Sequence, residues 1–314
     1  MARIVRISTI GAQGPAPGNN HRETLERVVD HLETVLGNAL GDRPDFILLP
    51  ETCDMPWFPR PEDRHDFCAF KGDRVDRLIR DICRENRVNI CYGSFRDGGD
   101  GWYRNSAVFV DREGGTVGIY NKNHLVLEEF TESRVRYGRE PRVVEMDFGR
   151  VGAAICYDLQ FDELREAYRK LAPELMVFPS LFPGGFLKRN WAFSNRCWLV
   201  SSLGMGGQSC EIVNPLGETV ARSSYYLPHM TAEINLDCCL VHLDYNRERI
   251  VRMQRALGPD VKVEAPSGLG RALITSCTDR VSAAEITEAF GIERMDDLFA
   301  RNLASRNTPG HTER

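Results

Sequence analysis

Val151-Gly152-Ala153-Ala154-Ile155-Cys156-Tyr157-Asp158 is an apolar run of mostly small side chains that ends on a cysteine and two polar groups. It reads as a strand against which something packs closely, since glycine and two alanines leave room for a neighbour. Outward toward the C-terminus, a helix is expected over about Asp162 to Leu171 and a strand over Leu175 to Phe178. A helix near Leu187 to Trp198 follows, then strands near Leu199 to Leu203 and Glu211 to Val213. A turn at Asn214-Pro215-Leu216-Gly217, a strand over about Thr231 to Leu236 and a charged helix around Tyr245 to Ala256 complete that half.

Toward the N-terminus the same alternation holds. Ile4 to Ile10 reads as a strand. From Arg22 to Leu40, Leu25, Val28, Val29, Leu32, Val35, Leu36 and Leu40 form one helical stripe, with Asn20 and Glu23 spaced as a capping box and Gly41 as the stop. Phe46 to Leu49 is a short buried strand halted by Pro50. A helix over about Asp73 to Glu85 places Val75, Leu78, Ile79, Ile82 and Cys83 on one face, and Val88 to Tyr92 is again a strand. Ser106 to Val110 and Thr116 to Tyr120 flank Asp111-Arg112-Glu113-Gly114-Gly115, a hairpin pattern. Alternating strands and helices in both halves predict an α/β architecture, and the hairpin makes the sheets mixed.

The bulk composition excludes several function classes. Hydrophobic residues are 42% and charged residues 27% of the 314, which places the chain among ordinary folded proteins. A net charge of −5 offers no long-range attraction to nucleic acid or an anionic membrane surface. The opening MARIVRISTIGAQG lacks the apolar core of a signal peptide, and no membrane-spanning run of about 18 apolar residues occurs, so a cytoplasmic location is expected. None of the ten cysteines forms a C-x-x-C pair; most are expected to be small buried hydrophobes. The core domain is expected to span 1–256, with the more polar 257–314 as an appended C-terminal extension, in a position to pack on a neighbouring subunit.

Three polar residues follow apolar strand-like runs, where an α/β protein builds its site. Glu51 follows Leu48-Leu49-Pro50, Lys122 lies just past Thr116 to Tyr120, and Cys156 closes the opening run. A carboxylate at the edge of an apolar layer is suited to proton transfer. A lysine and a helix N-terminus near Cys156 would lower its thiol pKa. Taken singly, each is more commonly a loop carboxylate, a solvated amine or an inert core thiol.

Together they resemble the nitrilase superfamily of carbon–nitrogen hydrolases. The likeness rests on Leu49-Pro50-Glu51, on Tyr120-Asn121-Lys122-Asn123-His124-Leu125 and on Gly152-Ala153-Ala154-Ile155-Cys156-Tyr157-Asp158, in that order across roughly residues 3 to 240. Asn214-Pro215-Leu216-Gly217-Glu218 resembles a late turn of the family, whereas Gln160-Phe161-Asp162-Glu163 stands where many relatives have R-F-P-E. The resemblance implies a four-layer α-β-β-α sandwich with mixed sheets, paired into homodimers or larger homo-oligomers, and no cofactor or metal.

It further implies Glu51, Lys122 and Cys156 as catalytic groups, with the backbone N–H of Tyr157 on the oxyanion. A second, supporting carboxylate is expected among Glu128, Glu129 and Glu132; spacing to Gly138 favours Glu132. Tyr157-Asp158 after the cysteine points to the amide or N-carbamoyl side of the family, with a small molecule as substrate and neither nucleic acid nor membrane as partner. Trp57 and Phe182 are candidate pocket walls, and Arg60 is a candidate carboxylate binder. A nitrilase, a soluble acyl transferase and a non-catalytic binding protein on the same fold are the alternatives.

Overall fold

A computed structural model describes residues 2–224 and 226–313. From the N-terminus, β1 (Ile4–Ile10) leads to helix α1 (His21–Leu40), β2 (Phe46–Leu48), α2 (Pro61–Lys71), α3 (Arg74–Asn86), β3 (Asn89–Asp97), β4 (Tyr103–Val110) and β5 (Thr116–Asn121). The short α4 (Leu127–Thr131) precedes β6 (Val143–Met146), β7 (Gly149–Ala153), α5 (Asp162–Leu171), β8 (Leu175–Ser180), α6 (Gly185–Asn195), β9 (Trp198–Leu203), β10 (Glu211–Val213), β11 (Thr219–Arg222) and β12 (His229–Asn235).

These strands form two six-stranded sheets, ordered β12-β1-β2-β3-β4-β5 and β11-β10-β9-β8-β7-β6. In each, a parallel centre is flanked by antiparallel pairs: β1-β2-β3 and β7-β8-β9 are parallel, while β3-β4-β5, β6-β7 and β9-β10-β11 are antiparallel. The central strands β2 and β8 read as almost unbroken apolar runs, buried throughout, because both of their faces are covered. On one side, Val28, Leu32 and Leu36 of α1 and Val75, Ile79 and Cys83 of α3 pack with Ile47, Ile90 and Val108 of the first sheet. On the other, Leu164 and Tyr168 of α5 and Trp191 of α6 pack with Met176, Phe178 and Leu199 of the second.

The inner faces meet across an interface that is not purely apolar. Phe46 and Phe148 are in edge contact at 5.5 Å. Thr9 Oγ1 donates to the Ser201 carbonyl at 2.7 Å, and Ser202 Oγ to the Ile10 carbonyl at 2.5 Å. The expected mixed α-β-β-α layering is thus what the chain builds, and it sets the C-terminal ends of β2, β7 and β8 around one cavity.

Local chemistry accounts for the helix ends. The Asn20 side chain accepts the Glu23 N–H at 2.9 Å, as the capping pattern predicts, while the Glu23 carboxylate reaches back to the Asn19 N–H at 2.9 Å. Helix α2 has no counterpart in the sequence pattern. Of its 11 residues only Phe67, Cys68 and Lys71 are buried, too few to make a stripe.

Two compact units divide the chain at Ile234/Asn235. The larger, Val5–Ile234, holds the two sheets. The smaller, Asn235–Arg314 with the N-terminal residues up to Ile4, contains β13 (Cys238–His242), α7 (Arg247–Leu257), β14 (Val261–Glu264), β15 (Arg271–Ser276), α8 (Ala283–Ala289) and α9 (Met295–Arg306). Its strands form an antiparallel sheet of order β13-β15-β14, covered by a core of Val241, Ile250, Met253, Ala272, Ile274 and Ile286. Residues 257–314, polar in composition, therefore carry regular structure of their own. Among the described residues no helix is long and apolar enough to cross a membrane.

Candidate active site

The chain leaves β2 through Leu49-Pro50-Glu51 and turns sharply. Thr52, a β-branched residue, has φ of +46°, a left-handed conformation that is costly for such a side chain. The turn packs directly on β3: Gly93 N–H donates to the Pro50 carbonyl at 3.1 Å, and a Cβ at Gly93 would lie 2.3 Å from that oxygen and 2.5 Å from Glu51 Cα. Only glycine permits this approach. Two residues on, the buried Asp54 carboxylate takes the Lys71 ammonium, the Ser94 hydroxyl at 2.5 Å and the Phe95 N–H at 3.1 Å.

Lys122 follows β5. Its N–H donates to the Asn105 carbonyl at 2.8 Å, and its carbonyl accepts from Gly138 N–H at 2.7 Å. Cys156 follows β7 and opens a short 3-10 turn over Cys156–Gln160. Its own φ is +49°, so the nucleophile candidate sits on a strained bend, as Thr52 does beside Glu51.

Asp158 ties the cysteine turn to the lysine loop. Fully buried, it accepts from Tyr120 Oη at 2.7 Å, Ile155 N–H at 2.9 Å and His124 N–H at 2.8 Å. Both ring nitrogens of His124 face carboxylates, Asp158 at 3.2 Å and Glu163 at 3.3 Å, and its ring stacks on Phe161 at 3.9 Å. His124 is thereby a fixed part of the loop and no partner for the thiol.

The three separate motifs converge. Glu51 and Lys122 are buried and joined at 3.0 Å, and both line one cavity of about 840 Å³ with Cys156. Glu51 Oε1 also accepts from Asn105 Nδ2 at 2.8 Å, and Oε2 from Leu181 N–H at 2.9 Å. Burial alone would raise the Glu51 pKa, but Lys122 and these donors outweigh it and hold the carboxyl below its ordinary value. For Lys122, burial opposes the charge and the Glu51 and Glu129 carboxylates more than restore it, so its pKa is raised.

Cys156 departs from expectation. Its thiol is pushed up to about 12, first by burial and then by the Glu51 charge, against which Lys122 and the Ser180 hydroxyl are too weak. Burial and the Glu51 charge therefore favour the thiol over the thiolate.

The second carboxylate that meets Lys122 is not the one favoured by spacing. Glu129, within α4, accepts from Lys122 Nζ at 2.8 Å, Asn105 Nδ2 at 3.1 Å and Val126 N–H at 3.0 Å. Glu132 lies one helical step further, at the C-cap of α4, and is exposed, as is Glu128. The reason is local: Glu129 is the third residue of α4 and its carboxylate folds back onto the Val126 N–H beside Lys122, whereas Glu132 stands past the other end of the helix.

Trp57 does line the cavity, with 74% of its surface exposed. Arg60 does not: it is exposed and spends its guanidinium on Asp63. Phe182 packs into the core beside α6, and the neighbouring Leu181 takes the wall position. Tyr157 projects outward, half-exposed, edge-on to Phe161 at 5.2 Å.

Asn105 is the residue that sequence reasoning missed most plainly. Its amide bridges Glu51 and Glu129, and an asparagine in the middle of a hairpin strand is itself a signal, because strands disfavour it. Among the described residues no cluster of three or more His, Cys, Asp or Glu is arranged to hold a metal ion.

Known proteins resemble the chain in sequence and in fold. The sequence matches the carbon-nitrogen hydrolase family over residues 9–239. It is 27% identical over 241 residues to the nitrilase and fragile histidine triad fusion protein NitFhit of Drosophila melanogaster, covering 68% of this chain and 52% of that one. The chain therefore spans about half the length of such fusion proteins. It is 26% identical over 255 residues to the chloroplastic omega-amidase of Arabidopsis thaliana, covering 71% and 68% of the two chains. In three dimensions it resembles the crystal structure of Saccharomyces cerevisiae Nit3, a member of branch 10 of the nitrilase superfamily, with a TM-score of 0.64 at 17% identity, over 82% of this chain and 95% of that one. On the strength of the family match across most of its length, this chain belongs to the carbon–nitrogen hydrolase family, the nitrilase superfamily.

Proposed function

We propose that this protein hydrolyses the carbon–nitrogen bond of a small amide or N-carbamoyl compound through a thioester on Cys156. The observation that carries the reading is the meeting of thiol, carboxylate and ammonium in one cavity. The Cys156 thiol passes its proton to Glu51 as sulfur attacks the carbonyl carbon, so the unfavourable thiolate never stands free. Lys122 and the Tyr157 N–H hold the oxyanion, a contribution of about 3 kcal/mol per donor in comparable sites. The tetrahedral species collapses, the carbon–nitrogen bond breaks, and Glu51 returns its proton to the departing ammonia or amine. Glu51 then takes a proton from water, the hydroxyl adds to the thioester, and the acid leaves as the sulfur is reprotonated.

Glu129 and Asn105 act by position. With Glu51, the Glu129 charge keeps Lys122 protonated, and the Asn105 amide bridges the two carboxylates. The Arabidopsis relative is named an amidase, which supports the amide side of the family. Cys156→Ala and Cys156→Ser are expected to abolish ammonia release from simple amides while retaining the wild-type circular dichroism spectrum. Full activity in the alanine variant would refute the thioester route.

A further inference from the structure

Arg64, on α2, lines the same cavity as Cys156. The other cavity charges are committed: Glu51 and Glu129 are both held by Lys122 and Asn105. Among the described residues Arg64 has no carboxylate at ion-pair distance. Its Nη1 meets the Ser133 hydroxyl at 3.4 Å, and the guanidinium carbon lies 5.8 Å from the Phe95 ring centroid. Burial depresses its pKa, and the field of Glu129 only partly restores it.

A half-buried guanidinium with one long hydrogen bond leaves most of its five N–H donors without protein partners. Desolvating such a group is unfavourable unless an anion arrives, and its planar fork matches the two oxygens of a carboxylate. Part of the wall suits what would join a carboxylate to an amide: Ile10, Leu32, Val35 and Met55 are apolar. His31, also on the wall, is no competing cation, because burial opposes its protonation.

We propose that Arg64 binds a carboxylate at the far end of the substrate while Cys156 attacks the amide, making the substrate class a short aliphatic amide that carries an acid group. The proposal rests on the thioester reading for its second half only.

The experiment compares ammonia release from succinamate and from butyramide, in which a methyl replaces the carboxylate, in wild type, Arg64→Met and Arg64→Lys. Wild type is expected to prefer succinamate. Arg64→Met should lower the ratio of the two kcat/KM values about 10- to 100-fold, the worth of a charge-assisted hydrogen bond, through KM for succinamate, and Arg64→Lys should recover part. An unchanged ratio overturns the proposal. So does an equal loss of kcat on both amides, which would make Arg64 a support for Glu129. Titration calorimetry of succinamate into Cys156→Ala, with and without Arg64→Met, reads the site without turnover, and the same factor is expected in Kd. Equal Kd values, or no saturable binding, overturn it. A protein that turns over neither amide yet loses succinamate affinity on Arg64→Met keeps the carboxylate site and loses the hydrolytic reading.

Discussion

At Cys156 a carboxylate and an ammonium act on the same sulfur with opposite sign, and burial adds to the carboxylate's side. Proton transfer must then accompany attack, which transfers the pH dependence to Glu51. With its carboxyl held below the ordinary range, Glu51 is charged at neutral pH, and kcat/KM should fall only as pH drops through that depressed value. The sign for stability is the same: the ionised carboxylate stabilises the fold above its unfolded pKa, and that contribution is lost as pH falls through the folded one. Ultraviolet thiolate absorbance at neutral pH should be equal in wild type and Cys156→Ser. A signal that vanishes in the variant would mean a resting thiolate. Lys122 supplies a second prediction at this scale, because it is shared by two carboxylates. Glu129→Gln should lower kcat about 100-fold, the scale of one preorganised electrostatic contact, whereas the exposed Glu132→Gln should stay near wild type. The reverse order in steady-state assays would restore Glu132 to the site.

The elements deliver these groups through bends that only their neighbours permit. Thr52 and Cys156 both adopt positive φ, and the close seat of Gly93 against Pro50 and Glu51 holds the first of those turns in place. Gly93→Ala would put a methyl into backbone, with no flexible side chain to yield. We expect a stability loss of about 1–3 kcal/mol in denaturant unfolding, and a kcat decrease because Glu51 is the atom group displaced. A fully active and stable variant would show that the turn is not constrained in this way. Most elements were legible in the sequence: the expected α5 range over Asp162 to Leu171 and the β10 range over Glu211 to Val213 coincide with those observed. The apolar spacing of α1 and α3 was sufficient as well. Helix α2 was not legible, since a polar sequence that buries two apolar side chains and a lysine leaves no period to read. That omission matters, because α2 carries both Lys71, which anchors Asp54, and Arg64.

For the whole molecule, two covered sheets bring β2, β5, β7 and β8 to one cavity, and buried hydroxyl bonds such as Thr9 to Ser201 set the sheets together. The linear pattern alone determined the α/β class, the family motifs and the positions of Glu51, Lys122 and Cys156, because strand periodicity and short motifs are local properties of the chain. Which carboxylate meets Lys122, which arginine faces the cavity and whether the thiol is charged were decided only in three dimensions. Glu129 and Glu132 differ by three positions in sequence but by burial against solvent in space. Arg60 and Arg64 are one helical turn apart, yet one is neutralised by Asp63 and the other turns inward. The pull on the Cys156 proton is the balance of burial and of groups far apart in the chain, Glu51, Lys122 and Ser180, a sum over distances that no local pattern encodes.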